Sequence, residues 1–175
     1  MKRWIALMPL AGLLGLGVVF AGFGLKHNPH YTPDALVGRP LPDVSLPALD
    51  GGPAQSLRQA AGPETLVNFY GSWCVPCAQE APTLMALKAQ GVRIIGVAVA
   101  WNYDPAKTRA FLTQHGDPYA ADLVDRDGHA ALDFGVSGVP ETYLVGPDHV
   151  ILAKVAEPLT PDSAERLLER GNEPR

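Results

Sequence analysis

The stretch Trp73-Cys74-Val75-Pro76-Cys77 contains both cysteines of the 175-residue chain, three positions apart. The residues before it, Thr65 to Tyr70, are apolar, β-branched or aromatic, which predicts a buried strand. The residues after it, Ala78 to Gln90, are rich in helix formers and stop at Gly91, which predicts a helix. A Cys-x-x-Cys pair between a strand and a helix is typical of redox chemistry.

The position of the first cysteine, Cys74, predicts its reactivity. At the start of a helix the backbone N–H groups lack partners, and together with the helix dipole they favour a thiolate over a thiol. In such settings a cysteine pKa of ~8.5 can fall to roughly 3.5–7.5. The second cysteine, Cys77, lies one helical turn further along, close enough to form a disulfide.

Two other uses of a Cys-x-x-Cys pair stay open at this point. One is half of a zinc site, but zinc usually takes four ligands, and the sequence has no second Cys pair and no His pair with ligand spacing. The other is a purely structural disulfide, although a bridge across so short a loop constrains the unfolded chain little. Redox chemistry is the interpretation that the position between strand and helix favours.

Length and charge limit the class of protein. A chain of 175 residues allows one domain, and 47% hydrophobic residues are enough for a core. The net charge is −4 at pH 7, and subtracting the two positive charges of Lys2 and Arg3 leaves −6 for residues 4–175. So acidic a body argues against a nucleic-acid-binding surface and against close association of the body with an anionic membrane.

Residues 4–25 form a charge-free run after Lys2 and Arg3. As a helix this run would reach about 33 Å, enough for the ~30 Å hydrocarbon core of a bilayer. We predict a transmembrane signal-anchor at residues 4–25 with residues 1–3 as a cytoplasmic tip, because positive residues stay on the cytoplasmic side. A cleaved signal peptide is the alternative, although the run exceeds the usual ~7–15-residue signal core and lacks a clean Ala-x-Ala site.

The remainder of the chain is predicted to lie on the other side of the membrane, outside the cytoplasm. It divides into a linker at residues 26–38, one domain at residues 39–170 and a flexible tail at residues 171–175. Asp104 and Thr160, each followed by proline, are predicted helix N-caps. Further predicted elements of the domain are an edge strand with a turn within 39–52, a helical turn at 56–60, strands at 92–100, 121–125, 143–145 and 150–155, and helices at 106–115, 129–134 and 161–170. Strands 65–70 and 92–100, with a helix between them, are expected to be parallel.

A second informative stretch is Gly138-Val139-Pro140-Glu141-Thr142. Pro140 stands at the start of a predicted strand and is a candidate for a cis peptide bond, which costs only ~0.5–1 kcal/mol before proline. An ordinary trans proline at a strand start is the alternative.

Together these motifs resemble the thioredoxin superfamily and, within it, the membrane-anchored CcmG/DsbE thiol-disulfide oxidoreductases of cytochrome c biogenesis. The resemblance covers about residues 40–170. It implies a thioredoxin-like α/β fold, a central mixed sheet flanked by helices, with a helix-strand insertion at 105–125 that plain thioredoxin lacks. The matching segments are Gly-Ser-Trp-Cys-Val-Pro-Cys-Ala-Gln-Glu at 71–80, Gly-Asp-Pro-Tyr at 116–119, Asp-Arg-Asp-Gly at 125–128 and Gly-Val-Ser-Gly-Val-Pro-Glu-Thr at 135–142.

The resemblance implies a dithiol reductant in the periplasm, anchored in the bacterial inner membrane. Family members keep the cysteines of apocytochrome c reduced, directly or through a partner thiol protein, and are recharged by a membrane electron donor of the DsbD/CcdA kind. No metal or cofactor is implied beyond the Cys74–Cys77 disulfide. Two alternatives remain open: a general reductase of exported proteins, and a non-catalytic metal or haem carrier that uses the Cys pair as ligands.

The resemblance also implies roles for the residues around the cysteines. Cys74 attacks a partner disulfide and Cys77 resolves the mixed disulfide, while Pro76 between them helps to tune the redox potential. Trp73 is expected to shield the pair and to offer apolar contact, with core packing as its alternative.

Pro140, if cis, is expected to lie against the disulfide, leaving the backbone of Val139 free to pair with an extended partner strand. Glu80 and Glu141 are expected to line the groove near the cysteines, with solvated surface acids as the alternative. The buried acid of ordinary thioredoxin falls at Asn68 here, and Asn cannot exchange a proton at ordinary pH. The proton of the resolving thiol is therefore assigned to Glu80, Glu141 or water.

Overall fold

The computed structural model describes residues 2–24, 35–99 and 104–171, which fall into two compact units divided after Pro33. In the first unit, helix α1 spans Lys2–Val19 and a π-helix follows over Phe20–Gly24. Within these described ranges, no helix is long and apolar enough to cross a membrane. The transmembrane segment expected at residues 4–25 is therefore not shown and stays a prediction. Most of the expected linker, and the tail beyond Gly171, lie outside the described residues.

The second unit is built on a five-stranded mixed sheet with strand order β5-β4-β3-β6-β7. The parallel half consists of β3 (Thr65–Tyr70), β4 (Arg93–Val99) and β5 (Ala121–Asp125). The antiparallel half adds β6 (Glu141–Val145) beside β3, and β7 (Ile151–Val155) at the edge. Every residue of the central strand β3 is buried, as its unbroken apolar run predicts.

Within the described part of the chain five helices accompany the sheet, and two of them begin at the caps that the sequence predicts. The side chain of Asp104 accepts hydrogen bonds at the start of α4, and that of Thr160 at the start of α6. Both predicted N-caps are therefore confirmed. The helices are α2 (Leu57–Ala60), α3 (Val75–Ala89), α4 (Pro105–His115), α5 (His129–Asp133) and α6 (Pro161–Glu169).

The segment before β3 contains two strands of two residues each, β1 (Ser45–Leu46) and β2 (Gln55–Ser56), which pair antiparallel. The predicted edge strand is thus reduced to β1, and β2 was not predicted. Single β-bridges join Pro40 to Val150 and Ala48 to Leu123. The segment therefore runs beside both ends of the strand order, where it covers the exposed edges of the sheet.

The alternation of side chains along the strands divides the core into two clusters, one on each face of the sheet. On β3, Leu66 and Tyr70 pack with residues of α3 on one face, whereas Val67 and Phe69 pack with α5 residues on the other. Asn68 shares the face of Leu66 and Tyr70 by the same alternation. This division decides on which side of the sheet each polar residue of the site lies.

The thioredoxin-like arrangement is confirmed, and so is the insertion expected at residues 105–125, which forms α4 and β5. The insertion adds a parallel edge strand beside β4 and places α4 near the start of α3. The peptide bond between Val139 and Pro140 is cis, so the candidate cis bond is confirmed and the trans alternative is wrong.

Candidate active site

The two cysteines lie at the N-terminal end of α3 and form a disulfide. Cys74 is the N-cap residue of this helix, and its Sγ accepts a hydrogen bond from the backbone N–H of Cys77 at 3.1 Å. Both residues are buried, with 4% and 2% of their surface exposed. The backbone N–H of Cys77 and the positive end of the helix dipole therefore lie beside the sulfur that would bear a negative charge when reduced.

The loop that precedes β6 lies against the disulfide. The carbonyl oxygen of Val139 is 3.5 Å from Cys74 Sγ, and Pro140 is buried while Val139 is partly exposed. The loop thus presents backbone atoms directly beside the reactive sulfur.

Trp73 precedes Cys74 in the chain, lines the same groove and is 55% exposed. Its indole lies so close over Gly71 that a Cβ atom at position 71 would come within 2.9 Å of the ring. The alternative that Trp73 is a core residue is therefore wrong. Beside it lies a groove of about 370 Å³ between the start of α3 and α4. The groove is lined by Ser72, Trp73, Cys74, Val75, Ala78, Lys107, Ala110, Phe111, Gln114 and His115.

Glu80 is fully buried, one turn after Cys77 on the same helix. Its Oε1 accepts a hydrogen bond from Asn68 Nδ2 at 2.8 Å, and its Oε2 accepts one from the backbone N–H of Leu159 at 2.9 Å. Burial raises the pKa of Glu80 to about 7, although these two hydrogen bonds lower it in part. A solvated surface position for Glu80 is therefore wrong.

Glu141 is also buried, so a solvated surface position is wrong for this acid too. Its Oε2 lies 2.8 Å from Lys154 Nζ, in an ion pair whose side chains are 5% and 2% exposed. Its Oε1 accepts hydrogen bonds from the backbone N–H and the hydroxyl of Ser137 at 3.0 and 2.9 Å. The hydroxyl of Tyr143 is 2.9 Å from Oε2.

The two acids that were expected to share one groove lie on opposite faces of the sheet. Glu141 alternates with Thr142 along β6 and faces the cluster that contains Tyr143, whereas Glu80 lies on the α3 side. Glu141 ties the loop at Ser137 to strand β7 through Lys154. Of the two carboxyl groups, only that of Glu80 lies on the side of the sheet where Cys77 is packed.

Three polar side chains from different strands and loops meet beneath Glu80. Asn68 is fully buried, and its Nδ2 also donates to Thr142 Oγ1 at 3.0 Å. Its Oδ1 accepts a hydrogen bond from the hydroxyl of Tyr119 at 2.8 Å. The comparison with ordinary thioredoxin pointed to Asn68, whereas the contributions of Thr142 and Tyr119 were not predicted from the sequence. Both stand in segments that carry the family resemblance, which was the available signal.

A partly buried carboxyl group, also missed, belongs to Asp122 on the insertion strand β5. The Tyr70 hydroxyl lies 2.9 and 3.0 Å from its two oxygens. Burial raises the pKa of Asp122 to about 7, although the hydrogen bond from Tyr70 lowers it in part. Among the described residues, no group of three or more His, Cys, Asp or Glu side chains is arranged to hold a metal ion.

Comparison with known proteins agrees with this geometry. The family model described as Redoxin matches residues 36–168. The chain belongs to the Redoxin family. It is 40% identical over 159 residues to the thiol:disulfide interchange protein DsbE of Pseudomonas aeruginosa, covering 89% of this chain and 85% of that protein. It is 38% identical over 161 residues to the thiol:disulfide interchange protein HelX of Rhodobacter capsulatus, covering 91% and 88%.

These relatives confirm the resemblance to the CcmG/DsbE branch of the thioredoxin superfamily, and the chain is a thiol-disulfide oxidoreductase. Among solved structures, a DsbF homologue from Corynebacterium diphtheriae superposes with a TM-score of 0.66. It covers 82% of this chain and 96% of its own at 20% identity, so it shows the fold alone.

Proposed function

We propose that this oxidoreductase is a dithiol reductant in cytochrome c maturation. In this role it keeps the cysteines of apocytochrome c, or those of a partner thiol protein, reduced. The relatives named DsbE and HelX support the assignment to thiol:disulfide interchange. The observation that supports the reducing direction is the buried carboxyl group of Glu80 one turn after Cys77.

A carboxyl group in this position affects the stability of the reduced form. When ionised, it opposes the formation of a thiolate nearby. A strong oxidant of this superfamily owes its high potential to a stabilised reduced form, so an acid that destabilises the thiolate acts in the opposite direction. This effect supports the proposed direction, in which the protein gives electrons to a partner disulfide.

The proposed reaction moves two electrons to the partner. The Cys74 thiolate attacks one sulfur of the partner disulfide, and the other partner sulfur leaves as a thiolate. The Cys77 thiol then loses its proton and attacks Cys74 Sγ, which releases the second partner sulfur. The partner ends as a dithiol, after protonation of its two sulfurs, and the Cys74–Cys77 disulfide is formed.

Glu80 is the group that we assign to the proton of Cys77. A carboxyl group with a pKa of about 7 can accept and return a proton near neutral pH. Glu141 is less suited to this role, because it is ion-paired with Lys154 on the opposite face of the sheet.

The partner is proposed to bind as an extended segment across the loop at Val139 and the groove beside Trp73. Backbone atoms of an extended peptide can pair with the exposed edge of such a loop, and the carbonyl of Val139 already lies beside the sulfur. Trp73 and Val75, which are 55% and 69% exposed, supply apolar surface next to the site of attack. Pro76 and Pro140 help to fix the backbone on either side of it.

The proposal includes no cofactor other than the Cys74–Cys77 disulfide. It places the domain in the periplasm, anchored in the bacterial inner membrane by residues 4–25 and recharged by a membrane electron donor of the DsbD/CcdA kind. The charge-free sequence after Lys2 and Arg3 supports this location. Membrane fractionation, together with protease accessibility of the domain in spheroplasts, tests it directly. Recovery of the full chain in the soluble fraction would contradict the anchor.

The function is tested in a strain that depends on this chain for cytochrome c assembly. We expect Cys74→Ser to lose covalently bound haem in c-type cytochromes, and an added exogenous reductant to restore it. Normal cytochrome levels in this strain would overturn the cytochrome role and leave a general reductase of exported proteins. The reduction potential of the Cys pair tests the direction: around −200 mV or lower fits a reductase, whereas about −120 mV would indicate an oxidant.

A further inference from the structure

A chain of hydrogen bonds connects the insertion to the carboxyl group behind the cysteines. The Tyr119 hydroxyl donates to Asn68 Oδ1 at 2.8 Å, and Asn68 Nδ2 donates to Glu80 Oε1 at 2.8 Å. All three side chains are at least nine-tenths buried. These hydrogen bonds therefore run from the segment between α4 and β5, through the central strand, to the active-site helix.

The orientation of the Asn68 amide decides whether this chain of hydrogen bonds stabilises the carboxylate of Glu80. An asparagine side chain has an acceptor end and a donor end, and only the NH₂ end can stabilise a carboxylate. Thr142, whose oxygen accepts from the same NH₂ group, has a hydroxyl that can donate or accept, so it fits either orientation. The Tyr119 hydroxyl donates to the carbonyl end. A phenol is a stronger hydrogen-bond donor and a weaker acceptor than the hydroxyl of threonine, because its oxygen lone pairs are delocalised into the ring, so this bond favours the orientation in which the NH₂ group faces Glu80.

Several further contacts, besides the hydrogen bond to Asn68, hold Tyr119 in place. Its ring lies over Gly96 of β4, where an added Cβ would come within 2.7 Å of it. The ring is stacked on Tyr70, with centroids 4.9 Å apart and planes at 28°. Its backbone N–H donates to Asp117 Oδ1 at 2.9 Å. The missing side chain at position 96 therefore provides the space that the phenol ring fills.

We propose that Tyr119 is a positioning residue for Glu80, which acts through Asn68 by keeping the amide NH₂ group on the carboxyl oxygen. This proposal deepens the proposed function, because it rests on Glu80 as the group that exchanges the proton of Cys77. It gives the insertion a task in the chemistry, since ordinary strand and helix packing would not require a phenol hydroxyl at this point.

Within the described residues, few charged or titratable groups lie around the hydrogen bonds that join Tyr119, Asn68 and Glu80. On its own helix Glu80 follows Cys77, and from the loop before α6 it meets only the backbone N–H of Leu159. Burial raises the pKa of the Tyr119 phenol, and the charges of Asp122, Glu80 and Asp117 raise it further, so the hydroxyl keeps its proton. From β6 the contact is Thr142, since Glu141 and its partner Lys154 lie on the other face.

The test measures the ionisation of Glu80 directly, by carbon NMR of ¹³C-glutamate-labelled full-length protein with the disulfide intact. Glu80→Gln assigns the signal, and the wild-type carboxyl is expected to titrate near pH 7. We expect Tyr119→Phe to raise the pKa of Glu80 by about one pH unit, because the hydrogen bond from Asn68 to the carboxylate is no longer enforced. Gly96→Ala, which displaces the same ring, is expected to shift it in the same direction.

Tyr70→Phe is the matched control, because it removes a neighbouring buried hydroxyl from the same aromatic stack. The partner of that hydroxyl is Asp122, so the Glu80 titration should not move. In an Asn68→Ala background, Tyr119→Phe should give no further shift, since Tyr119 acts through the amide. An unchanged titration in Tyr119→Phe, or a shift that persists without Asn68, would overturn the proposal. The measurement uses no partner, so a failed cytochrome test would leave its result standing.

Discussion

Glu80 and Glu141 are both buried, yet only Glu141 has a cation beside it. Glu141 lies 2.8 Å from Lys154 Nζ, whereas Glu80 is held by an amide and a backbone N–H. Burial raises the pKa of Glu80 to about 7, and its two hydrogen bonds offset this rise only in part. The sequence shows two glutamates near two motifs and cannot separate these roles, because the difference arises from the face of the sheet on which each side chain lies.

At the residue scale, we predict that Glu80→Gln makes the reduction potential of the Cys pair less negative. Removing the carboxylate relieves the thiolate of an unfavourable charge and so stabilises the reduced form. The expected change is tens of millivolts, about 30 mV corresponding to a tenfold change in the equilibrium constant. Equilibration with glutathione measures it, with Glu165→Gln on the exposed face of α6 as control. A potential equal to that of the control would contradict a role for Glu80.

A second residue-scale prediction concerns the buried ion pair. Lys154→Met leaves Glu141 buried without its cation, which should lower the free energy of unfolding by about 3–5 kcal/mol. The double variant Glu141→Gln with Lys154→Met removes both charges and should cost less than the single change. Urea unfolding of both variants decides the matter. A double variant at least as unstable as Lys154→Met would show that the pair contributes by packing alone.

At the scale of elements, the groove beside Cys74 depends on a helix that ordinary thioredoxin lacks. Helix α4 of the insertion supplies one wall, and the turn between β3 and α3 supplies Trp73 and the other. The elements themselves are largely those that the apolar runs, caps and glycines predict. The exceptions are β1 and β2, whose two-residue length gives no pattern and whose pairing depends on the fold around them.

The groove predicts different effects on large and small substrates. Trp73→Ala removes exposed apolar surface without opening a core cavity, so stability should change little. The rate constant kcat/KM for reduction of a disulfide-bonded peptide should fall about tenfold, since aromatic residues at interface centres commonly contribute this much or more. Reduction of a small aliphatic disulfide should be nearly unchanged. Leu132→Ala, at an exposed position on α5, is the control. If kcat/KM fell equally for both substrates, Trp73 would act in the thiol-disulfide exchange itself and not in binding the peptide.

At the scale of the whole molecule, the family resemblance was sufficient to predict the mixed sheet and the insertion, and the position of Pro140 at a strand start was sufficient to make it a candidate for the cis bond. They were not sufficient for the buried polar network. Asn68, Tyr119 and Thr142 come from positions up to 74 residues apart in sequence, and they meet because strand order and side-chain alternation bring them to one face. Gly96 is an example. A glycine within an apolar strand predicts no contact by itself, and only the structure shows that it leaves space for the Tyr119 ring.

The carboxyl groups of Glu80, which is buried, and Asp122, which is partly buried, also make the stability of the whole domain depend on pH. Burial raises the pKa of Glu80 from 4.5 to about 7 and that of Asp122 from 3.8 to about 7. The folded state therefore holds more protons than the unfolded chain between pH ~4 and ~7, so the free energy of unfolding falls as pH rises through this window. The contribution of each group is complete below its unfolded pKa and is lost above about pH 7, amounting to several kcal/mol for the pair.

Urea unfolding of the oxidised full-length protein at intervals from pH 5 to pH 8 should show this fall. The slope should be reduced in Glu80→Gln, reduced again when Asp122→Asn is added, and unaffected in the exposed variant Glu165→Gln. The fall has the opposite sign to acid denaturation, in which carboxylates that are paired in the folded state lose their partners as pH drops. A stability that rises between pH 5 and pH 7 and does not respond to the double variant would mean that both acids stay ionised in the folded protein. In that case Glu80 would not be available to take the proton of Cys77 near neutral pH.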